Sequence, residues 1–341
     1  MSKVKDKSNV LEREKRLQIV RLASDRQKRQ STEANAGRDV VTGLSKTPKS
    51  LPPQYFYDDR GSELFEQICA LPEYYPTRTE AEILRQYAGE TAGIIGECEL
   101  VELGSGSSTK TRLLLEAFLD RGHSLLYVPV DVSGKILEES ARQLGADYPS
   151  LQVRGLVGTY EEALTQMQPS SWPSRTIAFL GSSLGNFAPE QCDRFFEQMT
   201  TVMEPGDYFL LGIDLQKPKD ILEAAYNDSQ GTTAEFNLNM LAHLNWRFGG
   251  NFDRSLFYHQ AIYNESKSQI EMHLHCRQTH TAYLESLDLK VEFSKGESIL
   301  TEISRKFNLD TMELYLQERG LKLVRAFTDP KQWFGLLLCQ M

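Results

Sequence analysis

The chain has 341 residues, of which 40% are hydrophobic, 10% aromatic and 25% charged, a folded globular make-up that excludes a collagenous or wholly disordered protein. A net charge of -9 argues against duplex nucleic acid as the main partner, because neutralising phosphates takes a basic surface. No apolar run reaches the roughly 18–20 residues that span a bilayer, and the charged N-terminus lacks the apolar core of a secretory signal.

The first thirty residues hold ten lysines and arginines against four acids. Val10, Leu11, Leu17, Val20 and Leu22 make a thin stripe suited to a marginal helix, and 31–50 is polar and Gly/Ser/Thr-rich. Residues 1–49 therefore read as a basic, partly disordered arm with a linker. From 97 to 215, short apolar runs at 98–104, 125–132, 151–158, 176–183 and 207–215 alternate with helical segments at 109–121, 134–144, 160–167 and 189–203. This rhythm predicts a parallel sheet covered by helices, the α/β class. It breaks after 215. Residues 218–247 look helical, and 255–264, 270–279 and 289–297 look like antiparallel strands, an α+β insertion. A helix near 309–318 and strands at 321–329 and 333–341 restore the first pattern.

Five stretches carry chemistry. In 101-VELGSGSSTKT-111, Gly104 and Gly106 let the backbone turn and approach a ligand, with a helix N-terminus behind them. Glu102, just before the loop, suits a cationic ligand. Asp131 ends the next strand, where an acid can accept both hydroxyls of a ribose; capping the following helix is the plainer alternative. At 179-FLGSSLGNF-187, Gly181 and Gly185 allow close approach and Asn186 offers one acceptor and two donors. Two tyrosine pairs, Tyr55/Tyr57 and Tyr74/Tyr75, precede the sheet and suit a lid over a polar ligand. In 299-ILTEISRKFNLD-310, Glu302 and Ser304 face the same way on an extended segment, and together they can hold the two nitrogens of an imidazole. His273, His275 and Cys276 raise a metal site, but no further ligands stand at clear spacing, so the expectation is no metal. The five scattered cysteines, without a CxxC pair, read as reduced thiols of a cytoplasmic protein.

The Glu-Leu-Gly opening and the closing β-hairpin resemble a class I S-adenosylmethionine (SAM)-dependent methyltransferase, a Rossmann-like fold. The strings FYDDRGSELFEQICALPEYYPTRTEAEIL, VELGSGSSTKT, FLGSSLGNF, GTTAEFNLNML and TEISRKF, in one order, resemble the histidine-specific N-methyltransferase family of ergothioneine biosynthesis from about residue 50 to 341. The resemblance implies a methyltransferase domain at 80–215 plus 307–341 and a substrate-recognition domain at 50–79 plus 216–306, with the amino acid between them. It implies that Gly104, Lys110, Asp131, Thr159, Tyr160 and Gly181 contact SAM; Thr159-Tyr160 stands where family members often carry Asp-Phe. Tyr74, Asn186 and Tyr226 match positions that hold the amino acid's backbone groups, the latter two its carboxylate. Glu302 and Ser304 match those that read its ring, and Phe236 and Met272 match pocket walls. Tyr57 and Asn186 are the expected catalytic residues. The reaction expected is trimethylation of the α-amino group of L-histidine to hercynine by a monomer whose partner is a small-molecule amino acid. The alternatives are the same chemistry on another amino acid or an indole, or a non-catalytic binding protein on the same fold.

Overall fold

The computed structural model describes residues 16–22 and 37–341. Strand β1 (Leu17–Arg21) is followed by α1 (Arg38–Ser45), β2 (Lys49–Ser50), α2 (Asp59–Ala70) and α3 (Tyr75–Ile95). The alternating region then runs β3 (Cys98–Leu103), α4 (Thr111–Asp120), β4 (Leu125–Asp131), α5 (Gly134–Asp147), β5 (Gln152–Val157), α6 (Tyr160–Gln166), β6 (Arg175–Phe179), α7 (Pro189–Thr201) and β7 (Tyr208–Asp214). All residues of β3 and β6 are buried, as expected of strands covered on both faces. Proline opens α7, where its missing N–H costs nothing.

The insertion holds α8 (Lys219–Tyr226), α9 (Thr232–Phe248), β8 (Phe257–Asn264), β9 (Gln269–Cys276), β10 (His280–Leu284), β11 (Leu289–Phe293) and β12 (Ser298–Arg305). The chain closes with α10 (Leu309–Gln317), β13 (Lys322–Thr328) and β14 (Phe334–Gln340). The large sheet has the order β1-β5-β4-β3-β6-β7-β14-β13, parallel from β1 to β7, with β14 antiparallel to both β7 and β13. Strand order reverses at β3, which lies between β4 and β6. An α/β sheet binds ligands in the crevice outside the carboxyl ends at such a point. This order, with its closing antiparallel pair, is the class I SAM methyltransferase sheet with one strand, β1, added at the edge.

A separate apolar core gathers residues between Val40 and Tyr75 with residues between Leu222 and Ile299. It packs against the four-stranded sheet β2-β12-β9-β8. The two parts meet where Asp214 and Gln216 exchange backbone hydrogen bonds with Phe307, at 2.8 and 2.9 Å. Both connections to the insertion therefore leave the large sheet side by side, at the carboxyl end of β7.

The arm expected at 1–49 needs correction. Residues 17–21 form a strand, pairing in parallel from Leu17–Val153 to Arg21–Val157. The β-branched Ile19 and Val20 favour strand over helix, and the edge of β5 offers backbone groups that need partners. The expected linker contains α1, whose Val40 and Leu44 are buried in the second core. Val10 and Leu11, with the rest of 1–15 and 23–36, lie outside the described residues. The antiparallel strands expected at 270–279 and 289–297 are shorter, and β10 was not anticipated.

Candidate active site

The loop after β3 is shaped for close approach. Gly104 and Gly106 have φ of 74° and 51°, in the left-handed region where glycine alone is unstrained. A Cβ at either position would meet no heavy atom within 4 Å, so the space beside this backbone is open. Between them the Ser105 hydroxyl is buried without a hydrogen-bond partner. Asp131, at the end of β4, accepts the Gly106 N–H at 2.8 Å on one oxygen and the Ser133 N–H at 2.8 Å on the other. Asp131 thus ties the loop to β4 and keeps lone pairs for a ligand. Burial pushes its carboxyl above the ordinary value, opposed by those backbone N–H groups.

Glu102 is not a ligand carboxylate in this arrangement. It is 4% exposed and accepts from the hydroxyls of Thr111, at 2.7 and 2.8 Å, and of Tyr127. Burial raises it to about 7. Its job is to pin α4 and β4 to the end of β3.

The remaining SAM candidates lie on the same rim. Lys110 is paired with Glu80 of α3, which also accepts the Gly181 N–H at 2.8 and 3.1 Å. Gly181, with φ 74°, turns the chain out of β6. Thr159 is the N-cap of α6: its hydroxyl accepts the Glu162 N–H at 3.2 Å, and Glu162 accepts the Thr159 N–H at 2.9 Å. Threonine therefore performs the capping that an aspartate would perform there. Tyr160 packs on Phe179, Phe187 and Phe195 with ring centroids 5.6–6.3 Å apart.

On the other side, a small cavity is lined by Phe65, Ile68, Tyr74, Ala225, Tyr226, Thr233, Phe236, Met272 and Glu302. Five expected residues, Tyr74, Tyr226, Phe236, Met272 and Glu302, thus share one wall set. Met272 and Glu302 are cross-strand neighbours in the β9–β12 pair. The register shifts between Leu300 and Glu302, and beyond that bulge Glu302, Ser304 and Lys306 share a face by the two-residue period. Tyr57 stands at the rim, 43% exposed, with its ring 5.9 Å from those of Phe65 and Phe236. Its hydroxyl is held above the ordinary phenol value, first by burial and then by the Glu302 charge.

Burial also pushes Glu302 up, to about 7, against the Asn186 hydrogen bond and the Lys306 charge. Asn186, in the 3₁₀ turn Ser183–Asn186 after β6, donates Nδ2–H to the Ile303 carbonyl at 3.0 Å. That carbonyl fixes the amide orientation, and the second N–H steadies Glu302, leaving Oδ1 as the acceptor for a ligand. The Tyr226 hydroxyl, expected to meet a carboxylate, donates to Ser304 Oγ at 2.9 Å.

The sequence reading missed a buried charge network beneath this cavity. Lys306 donates to Asp214 at 2.8 Å, Ser304 Oγ at 2.8 Å and Tyr226 OH at 3.1 Å. Asp214 also accepts from Tyr75 at 2.7 and 2.9 Å and from Lys217. Burial disfavours the Lys306 charge, but Asp214 more than offsets it and holds the ammonium above its ordinary value, whereas Lys217 falls to about 8. The available signal was a lysine continuing the Glu302–Ser304 alternation. His273 and His275 lie on the opposite face of β9 from Met272, with ring centroids 5.6 Å apart. Among the described residues no group of three or more metal-ligating side chains converges.

Comparison with known proteins identifies the family. Residues 36–341 match the family described as histidine-specific methyltransferase, SAM-dependent. Histidine N-alpha-methyltransferase of Mycolicibacterium smegmatis is 43% identical over 301 residues, covering 88% of this chain and 93% of that one. The protein of the same name from Mycobacterium tuberculosis is 44% identical with the same coverage. Ergothioneine biosynthesis protein 1 of Neurospora crassa is 34% identical over 268 residues, 74% of this chain and 30% of that one. With both the sheet order and the match over nearly the whole described chain in agreement, this protein belongs to the SAM-dependent histidine-specific methyltransferase family.

Proposed function

We infer that the chain transfers methyl groups from SAM to the α-nitrogen of L-histidine, three times in succession, forming hercynine for ergothioneine biosynthesis. The observation that carries this reading is Glu302, a half-buried carboxylate in the wall of a small aromatic cavity, across from Met272 and on the same strand face as Ser304. Residues 50–79 and 216–306 supply that cavity as the substrate-recognition part. Residues 80–215 and 307–341 supply the methyltransferase part.

The donor fits the loop after β3, where the partnerless Ser105 hydroxyl and the open space beside Gly104 and Gly106 await a polar ligand. Asp131 would take the ribose hydroxyls, with Lys110, Thr159, Tyr160 and Gly181 around the rest of the molecule. When bound, SAM supplies an electrophilic methyl carbon on a sulfonium, chemistry that needs no metal. The protein's own part is to orient the amine and exclude water. With its N–H groups engaged by the Ile303 carbonyl and Glu302, Asn186 is left an acceptor and cannot hold the carboxylate expected of it; its Oδ1 accepts an N–H of the α-amine instead and so turns the lone pair. Tyr74, kept protonated by burial, donates to the carboxylate, and the Tyr226 ring closes that side. Tyr57 is protonated at neutral pH, so it relays the amine's proton outward rather than acting as a strong base. Phe236 and Met272 confine the ring, and the aromatic walls suit the cationic product. The enzyme acts as a monomer in the cytoplasm, a setting in keeping with its five unpaired cysteines. Among the described residues no helix is long and apolar enough to cross a membrane.

Mass spectrometry of reactions with SAM and a panel of free amino acids tests the reading. Histidine should gain three methyl groups and the other amino acids none. Unmodified histidine with the donor bound would refute it.

A further inference from the structure

The three hydrogen bonds of Lys306 constrain where every proton beneath the cavity points. An ammonium has three donors and no acceptor. All three are spent, on Asp214 Oδ2, Ser304 Oγ and Tyr226 OH. The Tyr226 oxygen therefore accepts from Lys306, and its own proton goes to Ser304 Oγ. Ser304 Oγ then receives two donors, from Lys306 and Tyr226, and both its lone pairs are occupied. Its remaining capacity is one O–H. Lys306 is 3% exposed and Ser304 5%, so no bulk water competes for these positions. Asp214, 1% exposed and shared with Lys217 and Tyr75, holds the ammonium in place.

We propose that Lys306 is a positioning residue for substrate recognition: by filling the lone pairs of Ser304 it makes that hydroxyl a donor toward the cavity. Glu302 is the acceptor and Ser304 the donor, so the pair admits a ring with one N–H and one bare nitrogen. That ring is the neutral imidazole in a single tautomer. An imidazolium presents a second N–H to a hydroxyl that cannot accept it. An indole offers an N–H but no ring acceptor, and leaves the Ser304 proton unpaired, which a buried site penalises. The proposal rests on the cavity being the histidine site, and it assigns the form of histidine that enters.

The test is calorimetric binding of L-histidine to the full chain in the presence of S-adenosylhomocysteine, with K306M, S304A and the double variant. If Lys306 acts through Ser304, each single change weakens histidine binding by about tenfold or more, and the double change by no more than about threefold beyond S304A. The kcat of K306M stays within about threefold of the parent while its KM rises, and its affinity for S-adenosylhomocysteine is retained. A double variant whose loss is the product of the single losses overturns the proposal, as does unchanged binding in K306M.

Should K306M not fold, the parent protein decides. Groups facing the ring are Glu302 of β12, Tyr226 of α8, Tyr57 and Tyr74 ahead of α3, and Asn186 after β6, with Lys306, just past β12, beneath them. The phenols keep their protons near neutrality. Histidine binding should weaken as pH falls from about 8 to below about 6.5, where both Glu302, raised to about 7, and the imidazole, near 6.5, take up protons; binding that is constant or tighter there rejects a neutral ring read by an ionised Glu302. Methylation of histidine by the parent, read by mass spectrometry, separates failure of this proposal from failure of the functional assignment.

Discussion

Glu80 and Gly181 are 101 residues apart, yet a Glu80 carboxylate oxygen accepts the Gly181 N–H at 2.8 Å. Glu80 is fully buried and its other partner is the ammonium of Lys110. One side chain of α3 thereby fixes the turn leaving β6 and the last residue of the glycine loop after β3. Helix α3 thus sets the distance between two rims of the crevice proposed for the donor.

Replacing Glu80 with alanine should leave Lys110 without its counter-charge and the Gly181 N–H without an acceptor. Breaking a buried pair this way costs about 3–5 kcal/mol. Glu80→Gln keeps an acceptor for Gly181 and should lose less. Chemical denaturation ranks the two, and calorimetry with S-adenosylhomocysteine should show weaker binding in both. An alanine variant as stable as the parent contradicts the arrangement.

The pH dependence of stability follows from Glu302, raised by burial to about 7 from an unfolded value near 4.3. A carboxyl raised on folding favours the native state while protonated. Its contribution is fully present below about pH 4 and is lost as pH rises through about 7. In the ligand-free protein Glu302→Gln should therefore be more stable than the parent above about pH 7, by at most about 4 kcal/mol before solvent screening, and the gap should close toward about pH 4. Thermal unfolding across that range measures it; a gap that widens on acidification has the wrong sign.

What the sequence made legible is what local pattern encodes. Short, largely apolar runs such as 125–130 and 207–213 announced the parallel sheet, and Glu302 and Ser304 announced themselves by a two-residue spacing. Strand β1 stayed hidden because five residues with two exposed polar positions gain a partner only from the edge of β5, more than a hundred residues away. Glu80 and Lys306 stayed hidden for the same reason. A lone acid on a helix and a lone lysine after a strand look solvated until the chain brings Gly181, Lys110 and Asp214 against them. Glu102 erred the other way: its place beside the loop suggested a ligand, and only Thr111 and Tyr127 reveal its structural use.

Asp131 can be tested apart from the amino-acid cavity. Asp131→Ala removes the acceptor of the Gly106 and Ser133 N–H groups and frees the loop. Affinity for S-adenosylhomocysteine should fall by at least about tenfold, the loss expected for hydrogen bonds to a charged group. Asp131→Asn keeps one acceptor oxygen and should fall between. Calorimetric affinities that do not change would remove Asp131 from the donor site.

The ring-reading role proposed for Glu302 makes the sharpest specificity prediction. Glu302→Ala deletes the acceptor for the imidazole N–H and leaves Ser304 to face the ring alone. A site built to hydrogen-bond a polar substrate loses much more with the matched ligand than with one that never made the bond. For histidine, kcat/KM should fall by about 100-fold or more. Tryptophan and phenylalanine, which offer the carboxylate no matched pair of ring nitrogens, should lose little or gain, because an uncompensated buried charge has gone. Competition assays with mixed amino acids, read by mass spectrometry, give the ratio directly. Histidine turnover equal to the parent's would show that the cavity reads its ring by shape, through Met272 and Phe236, and not through the Glu302 carboxylate.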